Sequence, residues 1–270
     1  MRNPNVKNMD MSIMVVSWDG AKQLWEPFAT AMAKFWSDCP FETILLTQSI
    51  QPSNKIFDRV ITIPSLNQEP VLRIRDAITY HIYTEYVLLI CDDYFIYKDV
   101  STSLIKDLIQ IMRDRDIDLL HLFSYKRNHQ KPVIKKEINR QFQIQNSLPC
   151  IYRTSMLKEL SSIFPTCSMR EFEVRASSYV NSLKKYEIFF SYSNAIPCLH
   201  CVLEGYWRWY PYLWCKKNGI PLTFDTYKRP HLIRTIYSVG KAVLFNIVLK
   251  CLPGIYRKYS EKKYGKGISV

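Results

Sequence analysis

Glycine is scarce in this chain, 7 residues in 270, and neither GxGxxG nor GxxxxGK[ST] occurs. Both motifs let backbone amides cradle a phosphate, so a phosphate ligand here would need a metal ion or basic side chains instead. Long apolar runs are missing too. In the aliphatic C-terminal region the longest charge-free stretch, Ala242 to Leu249, has eight residues, against about 20 for a helix that spans a bilayer. The chain through Met11 is polar and its first apolar run, Ile13 to Val16, is too short for a secretory leader. The eight cysteines form no disulfide-like pattern, and several fall in apolar stretches where a thiol acts as a small hydrophobe. A reducing, cytoplasmic compartment is expected. Cys198-Leu199-His200-Cys201 has the spacing of half a zinc site, but no second close pair follows, and buried thiols are the expectation.

What is present is a core-forming composition, 47% hydrophobic, in alternating strand-like and helical segments. Ser12 to Ser17 reads as a first strand that ends in the turn Trp18-Asp19-Gly20. Trp25, Phe28, Ala29, Met32, Phe35 and Trp36 then recur at helical spacing until Cys39-Pro40. Strands follow at Glu42 to Thr47, Val60 to Ile63 and Tyr86 to Cys91, with a helix over Val71 to Thr84 between the last two. Ser101 caps a further helix through Met112, Leu119 to Phe123 is a strand, and Tyr125 to Arg140 is a loop or edge hairpin. Beyond it, Leu148 to Tyr152 is strand-like, and helices cover Ser155 to Ile163 and Met169 to Tyr179. This order predicts an α/β domain whose mostly parallel central sheet is flanked by helices over residues 1–226, followed by a basic amphipathic tail, 227–270.

Asp92 and Asp93 directly follow the apolar run Tyr86-Val87-Leu88-Leu89-Ile90-Cys91. A strand apolar on both faces is buried on both faces, so the acids belong at its carboxyl end, where α/β sheets bind ligands. Paired carboxylates at that edge suit a hard divalent cation carrying a phosphorylated substrate. The competing reading is a solvated turn or a helix-capping acid.

Around this pair the chain resembles a bacterial family of GT-A-type glycosyltransferases from surface-polysaccharide gene clusters. The likeness runs through Val16-Ser17-Trp18-Asp19-Gly20, Leu24-Trp25-Glu26-Pro27-Phe28, Phe35-Trp36-Ser37-Asp38-Cys39-Pro40, Asp92-Asp93-Tyr94-Phe95, Glu171-Phe172-Glu173 and Glu204-Gly205-Tyr206-Trp207, in order over residues 12–222. It implies a GT-A-like fold and transfer of a sugar from a nucleotide-sugar donor to a surface-glycan or lipid-linked acceptor, with Mn²⁺ or Mg²⁺ on the donor diphosphate. By that resemblance Asp93 is the metal ligand and Asp92 lies on the metal or the donor ribose. The chain carries Asp-Asp where such enzymes commonly have Asp-x-Asp, which leaves open which oxygen meets the metal.

Ser17 and Asp19, after the first strand, are candidates for the donor side, with Asp19 alternatively a plain turn residue. Arg75 is a further donor-binding candidate, on the resemblance, although an exposed helix arginine is the commoner case. Glu171 and Glu173 are the candidate general bases; two apart on a helix, they cannot share a face, and one of them at most enters the cleft. Each has a partner available in Arg170 or Arg175, so a surface ion pair is the alternative. Trp207, in the run Tyr206 to Trp214, is the candidate acceptor-stacking residue, with core packing as the competing role.

The formal net charge of +13 is concentrated at the end, where residues 227–270 hold ten Lys or Arg against Glu261 alone. Interleaved with Ile, Val, Leu and Phe from Leu232 to Leu252, that charge fits an anionic membrane surface, and a peripheral place on the inner face of the cytoplasmic membrane, better than a nucleic-acid groove. The alternatives are a sugar nucleotidyltransferase, which would release pyrophosphate, and a non-catalytic basic protein that binds membrane or nucleic acid.

Overall fold

The computed structural model describes residues 10–65, 69–122, 132–136, 144, 149–231 and 240. Its centre is a parallel ribbon in which β1 (Met11–Val16) lies between β2 (Glu42–Thr47) and β4 (Tyr86–Cys91), with β3 (Arg59–Thr62) beyond β2. Past β4 the sheet turns mixed. β8 (Cys150–Arg153) pairs antiparallel with both β4 and β6 (Leu119–His121). β9 (Ile188–Ser191) runs parallel to β6, and the two-residue β7 (Ile134–Lys135) closes that edge, antiparallel to β9. The order is β3-β2-β1-β4-β8-β6-β9-β7.

The central strands β1 and β4 are almost wholly apolar because side chains of alternate parity enter two different cores. In β4, Tyr86, Leu88 and Ile90 face the core formed with α1 (Trp25–Phe35) and α3 (Thr102–Asp114), whereas Val87 and Leu89 face α2 (Pro70–Tyr80), α4 (Thr154–Ile163) and α5 (Met169–Leu183). Helix starts follow local chemistry. The Ser101 side chain accepts a hydrogen bond from the Leu104 amide (3.3 Å), Ser168 does the same for Glu171 (3.2 Å), and Pro70 opens α2, where its missing N–H costs nothing. The expected α/β domain with a mostly parallel sheet between helix layers is the observed one. α2 stops at Tyr80 rather than Thr84, because His81 leaves helical geometry (φ −133°).

Short elements complete the carboxyl edge of the sheet. β5 (Tyr94–Ile96), immediately after the acidic pair, pairs antiparallel with β10 (Cys198–His200). β11 (Val202–Leu203) and β12 (Tyr206–Trp207) form a hairpin whose two-residue turn, Glu204-Gly205, has positive φ at both positions (49° and 79°), the geometry that matches strand twist. α6 (Trp209–Lys217) follows.

Of the edge segment Tyr125 to Arg140 only 132–136 is described; the expected amphipathic stretch Leu232 to Leu252, apart from residue 240, and the basic run Arg257 to Lys266 lie outside the described residues. Among the described residues no helix is long and apolar enough to cross a membrane. Leu88, in the middle of β4, is buried, and Leu88→Ala is expected to cost about 2–5 kcal/mol. A urea unfolding curve with unchanged slope and a lower midpoint would show it.

Candidate functional site

The chain steps outward from β1 to β2 and β3, then returns to place β4 on the other side of β1. The loops leaving β1 and β4 therefore diverge, and the crevice between them is where such sheets bind ligands. Ser17 and Asp92 face each other across it. The Trp25 indole N–H donates to Ser17 Oγ (2.7 Å), and the Ser17 hydroxyl in turn donates to Asp92 Oδ2. The Asp92 amide also donates to Val16 O (3.3 Å), which ties the two loops together at their base.

Asp92 is buried, and burial together with the neighbouring Asp93 carboxylate pushes its pKa well above the ordinary range, against the Ser17 hydroxyl and the Arg73 guanidinium. Asp93 is more open. Its Oδ2 lies 3.0 Å from His200 Nε2, and the His200 ring stacks on Tyr94, with centroids 4.8 Å apart and planes 1° off parallel. The β5–β10 register produces this contact: Tyr94 and His200 are directly opposed, and the Cys201 amide donates to Asp93 O (2.7 Å).

Beneath the crevice lies Arg73, fully buried, donating through Nη1 to Ser65 Oγ (2.7 Å) and through Nη2 to Ser17 O (3.1 Å). Burial lowers its pKa, while Asp19, Asp92 and Glu69 act to raise it. Arg75 turns away, since two positions along a helix is more than half a turn, and pairs with Asp76 (2.7 Å). The arginine at the site is Arg73.

Asp19 organises the rim. Its Oδ1 accepts from Thr47 Oγ1 (2.7 Å) and from the amides of Gln48, Ser49 and Ile50 (3.2, 3.1 and 3.2 Å), and its Oδ2 from Ser49 Oγ (2.5 Å). Partial burial acts to raise its pKa, but the bonds from Ser49, Thr47 and Ile50 together outweigh this and hold the carboxyl well below the usual range. Beside it, a Cβ on Gly20 would sit 2.2 Å from the Trp18 ring, so only glycine lets that indole lie where it does.

A second strand of chain reaches the site from far along the sequence. Gln23 Oε1 accepts from the amides of Thr226 (2.5 Å) and Tyr227 (3.1 Å), and the Lys228 amide and carbonyl bond to Gly205 O and Trp207 N (3.0 Å each). Held this way, the partly buried Tyr227 has its pKa raised by burial and by Asp92 and Asp93, against a side-chain hydrogen bond with Trp18. The chain thus stays tied to the domain through Lys228.

The two glutamates part company. Glu173 is 2% exposed, its Oε2 is 3.0 Å from Arg170 Nη1, and with Asp93 and Asp92 it raises the pKa of the half-buried Cys91, after desolvation of the thiol itself. Glu171 stands in the first turn of α5 and pairs with Arg175 (2.6 Å). Trp207 is 1% exposed and meets Phe95 edge-on at 5.8 Å, so its ring belongs to the core; Trp209 and Tyr210 are the exposed members of that cluster. Cys198 and Cys201 are buried thiols, pushed up by burial. Sequence reasoning missed His200 as a partner of Asp93, and the useful signal was its place in an apolar segment beside two cysteines.

Among the described residues no three His, Cys, Asp or Glu side chains form a ready-made metal cage. The carboxylate pair Asp92 and Asp93 is what could meet an Mg²⁺- or Mn²⁺-type ion of few protein ligands, whose remaining positions would come from substrate phosphate and water.

No protein-family model and no curated protein matches the chain. Similar solved structures include TarS of S. aureus, at 16% identity over 67% of this chain and 36% of that one, with a TM-score of 0.43. HddC from Yersinia pseudotuberculosis is 14% identical over 77% of this chain and 99% of its own (TM-score 0.46). The catalytic domain of Drosophila β1,4-galactosyltransferase 7, in complex with xylobiose, is 13% identical over 56% and 51% (TM-score 0.28). The chain spans about a third of the TarS chain and about half of the galactosyltransferase one.

Because Asp19 titrates lower when folded, its contribution to stability is complete above the unfolded carboxyl range near 3.8 and is lost as pH falls through and below it. Asp19→Asn is expected to cost about 1–2 kcal/mol at neutral pH. It should also flatten the acid limb of stability between about pH 4 and 2, measured by urea unfolding at stepped pH.

Proposed function

We propose that this protein is a metal-dependent glycosyltransferase that moves a sugar from a nucleotide-sugar donor onto a surface-glycan or lipid-linked acceptor. The observation that carries the reading is the pair Asp92-Asp93 at the carboxyl end of β4, in the crevice beside β1, with Ser17, Arg73 and His200 drawn around it. The ordered sequence resemblance on both sides of that pair supports the same chemistry.

Mn²⁺ or Mg²⁺, when bound, neutralises the charge that grows on the nucleoside diphosphate as it leaves. Asp93 would hold the ion through its more open carboxylate and His200 would fix or share that site, with Asp92 behind it, oriented by Ser17. Arg73 adds a buried positive charge under the donor phosphates, and the rim built on Asp19 forms the wall on the β2 side. On the other side of β4, Glu173 is the base: as the acceptor oxygen bonds to the sugar's anomeric carbon and the bond from that carbon to phosphate oxygen breaks, its carboxylate takes the acceptor's hydroxyl proton. Glu173 is favoured over Glu171 because it turns into the fold, while Glu171 pairs with Arg175.

Asp93→Ala is expected to remain folded and to lose Mn²⁺-dependent binding of a nucleotide sugar by calorimetry, together with release of nucleoside diphosphate. Full turnover by this variant with a chelator present would overturn the reading. Glu173→Gln should lower kcat by about 10²–10⁴-fold with donor affinity little changed, and Glu171→Gln should leave the rate close to that of the wild type.

A further inference from the structure

We propose that the outer face of α6 is a docking surface for an anionic lipid bilayer. Five successive exposed positions share it. At 100° per residue, Trp209, Tyr210, Leu213, Lys216 and Lys217 fall within one third of the helix circumference, while Pro211 and Cys215 face the core. The three apolar members are 42%, 61% and 46% exposed, a concentration of large apolar surface that water does not favour. Leu203, at the end of the hairpin leading into α6, is 38% exposed as well.

The composition matches a bilayer interface by depth. Trp and Tyr prefer the headgroup level, Leu reaches below it, and basic residues at the margin meet lipid phosphates. Arg208, Lys216 and Lys217 are exposed and form no ion pair among the described residues, so their charge is available. Lys216 holds its Nζ over the Tyr212 ring, 5.1 Å from the ring centre, beside the exposed apolar positions of the same helix.

Charge also decides among occupants. Over residues 202–231 five Lys or Arg stand against Glu204 and Asp225, and residues 232–270 are more basic still. A second copy related by a two-fold axis would set the same basic patch against itself, and the chain's own continuation would bring further positive charge to it. An anionic surface neutralises both. The proposal rests on the reading that transfer occurs to a membrane-borne acceptor, since α6 follows directly on the hairpin whose strand β12 is tied to Lys228 at the site's edge. It is nevertheless testable without turnover.

The experiment is flotation of the full chain with vesicles of phosphatidylcholine alone or mixed with phosphatidylglycerol. Wild type should bind the anionic vesicles only, and K216Q/K217Q should weaken that binding roughly 25-fold, at the charge dependence usual for basic residues near such a surface. W209A/Y210S/L213S should lose most of it. All these positions are exposed, so unchanged melting curves are expected and separate lost docking from lost folding. Brominated acyl chains should quench the tryptophan emission of wild type and spare Trp209→Phe. Absence of wild-type binding to anionic vesicles, flotation of the triple variant at the wild-type level, or equal quenching of wild type and Trp209→Phe would each overturn the proposal. Loss of sugar transfer with flotation intact would count against the proposed chemistry and not against the docking face.

Discussion

The site depends on burying one carboxylate, Asp92, at the end of a strand whose two faces are both occupied by core. An isolated buried carboxylate would cost far more than a domain of this size can spare. Here the cost is offset by a chain of contacts, from the Trp25 indole to the Ser17 hydroxyl to Asp92, and by the Arg73 guanidinium placed under the same loop. Those contacts require the β1–β4 register, because Val16 opposite Cys91 is what brings Ser17 level with Asp92. They also require α1 to start at Trp25 and α2 to carry position 73 on its inner face. The sheet, two helices and the acidic pair are thus one cooperative arrangement.

On that base stands a second layer drawn from the last part of the described chain. β10 brings His200 to Asp93, the β11–β12 hairpin leads back to Lys228, and Gln23 fastens residues 226 and 227 beside Trp18. The ties of His200 to Asp93 and of Gln23 to residues 226 and 227 each span more than a hundred residues of sequence. They fasten the last part of the described chain to the carboxyl edge of the sheet, and β10, β11 and β12 have only two or three residues each.

Much of the fold was legible in the sequence for a physical reason. Strands covered on both faces are apolar at every position, as in Tyr86 to Cys91, and helices packed on them repeat every three or four, as from Trp25 to Phe35. Element length set the limit. β5, β10, β11 and β12 are too short to display a period, and α6 was concealed by an aromatic run that reads equally as core or surface. The antiparallel β8 was expected as a strand, but nothing local states its direction.

For the candidate site, sequence alone determined the residue types and their places: two acids where a buried strand must end, a turn of Trp, Asp and Gly after the first strand, and a basic surplus toward the end. Residue type and hydrophobic pattern are local properties, and they suffice for that. Only the tertiary structure decided which neighbours come together, with Arg73 under the β1 and β4 loops and Arg75 paired with Asp76, Glu173 turned inward and Glu171 paired with Arg175, His200 beside Asp93, and Trp207 inside while Trp209 is outside. Residues two apart on a helix differ in direction by about half a turn, and which direction is inward depends on packing partners that lie far away in the chain.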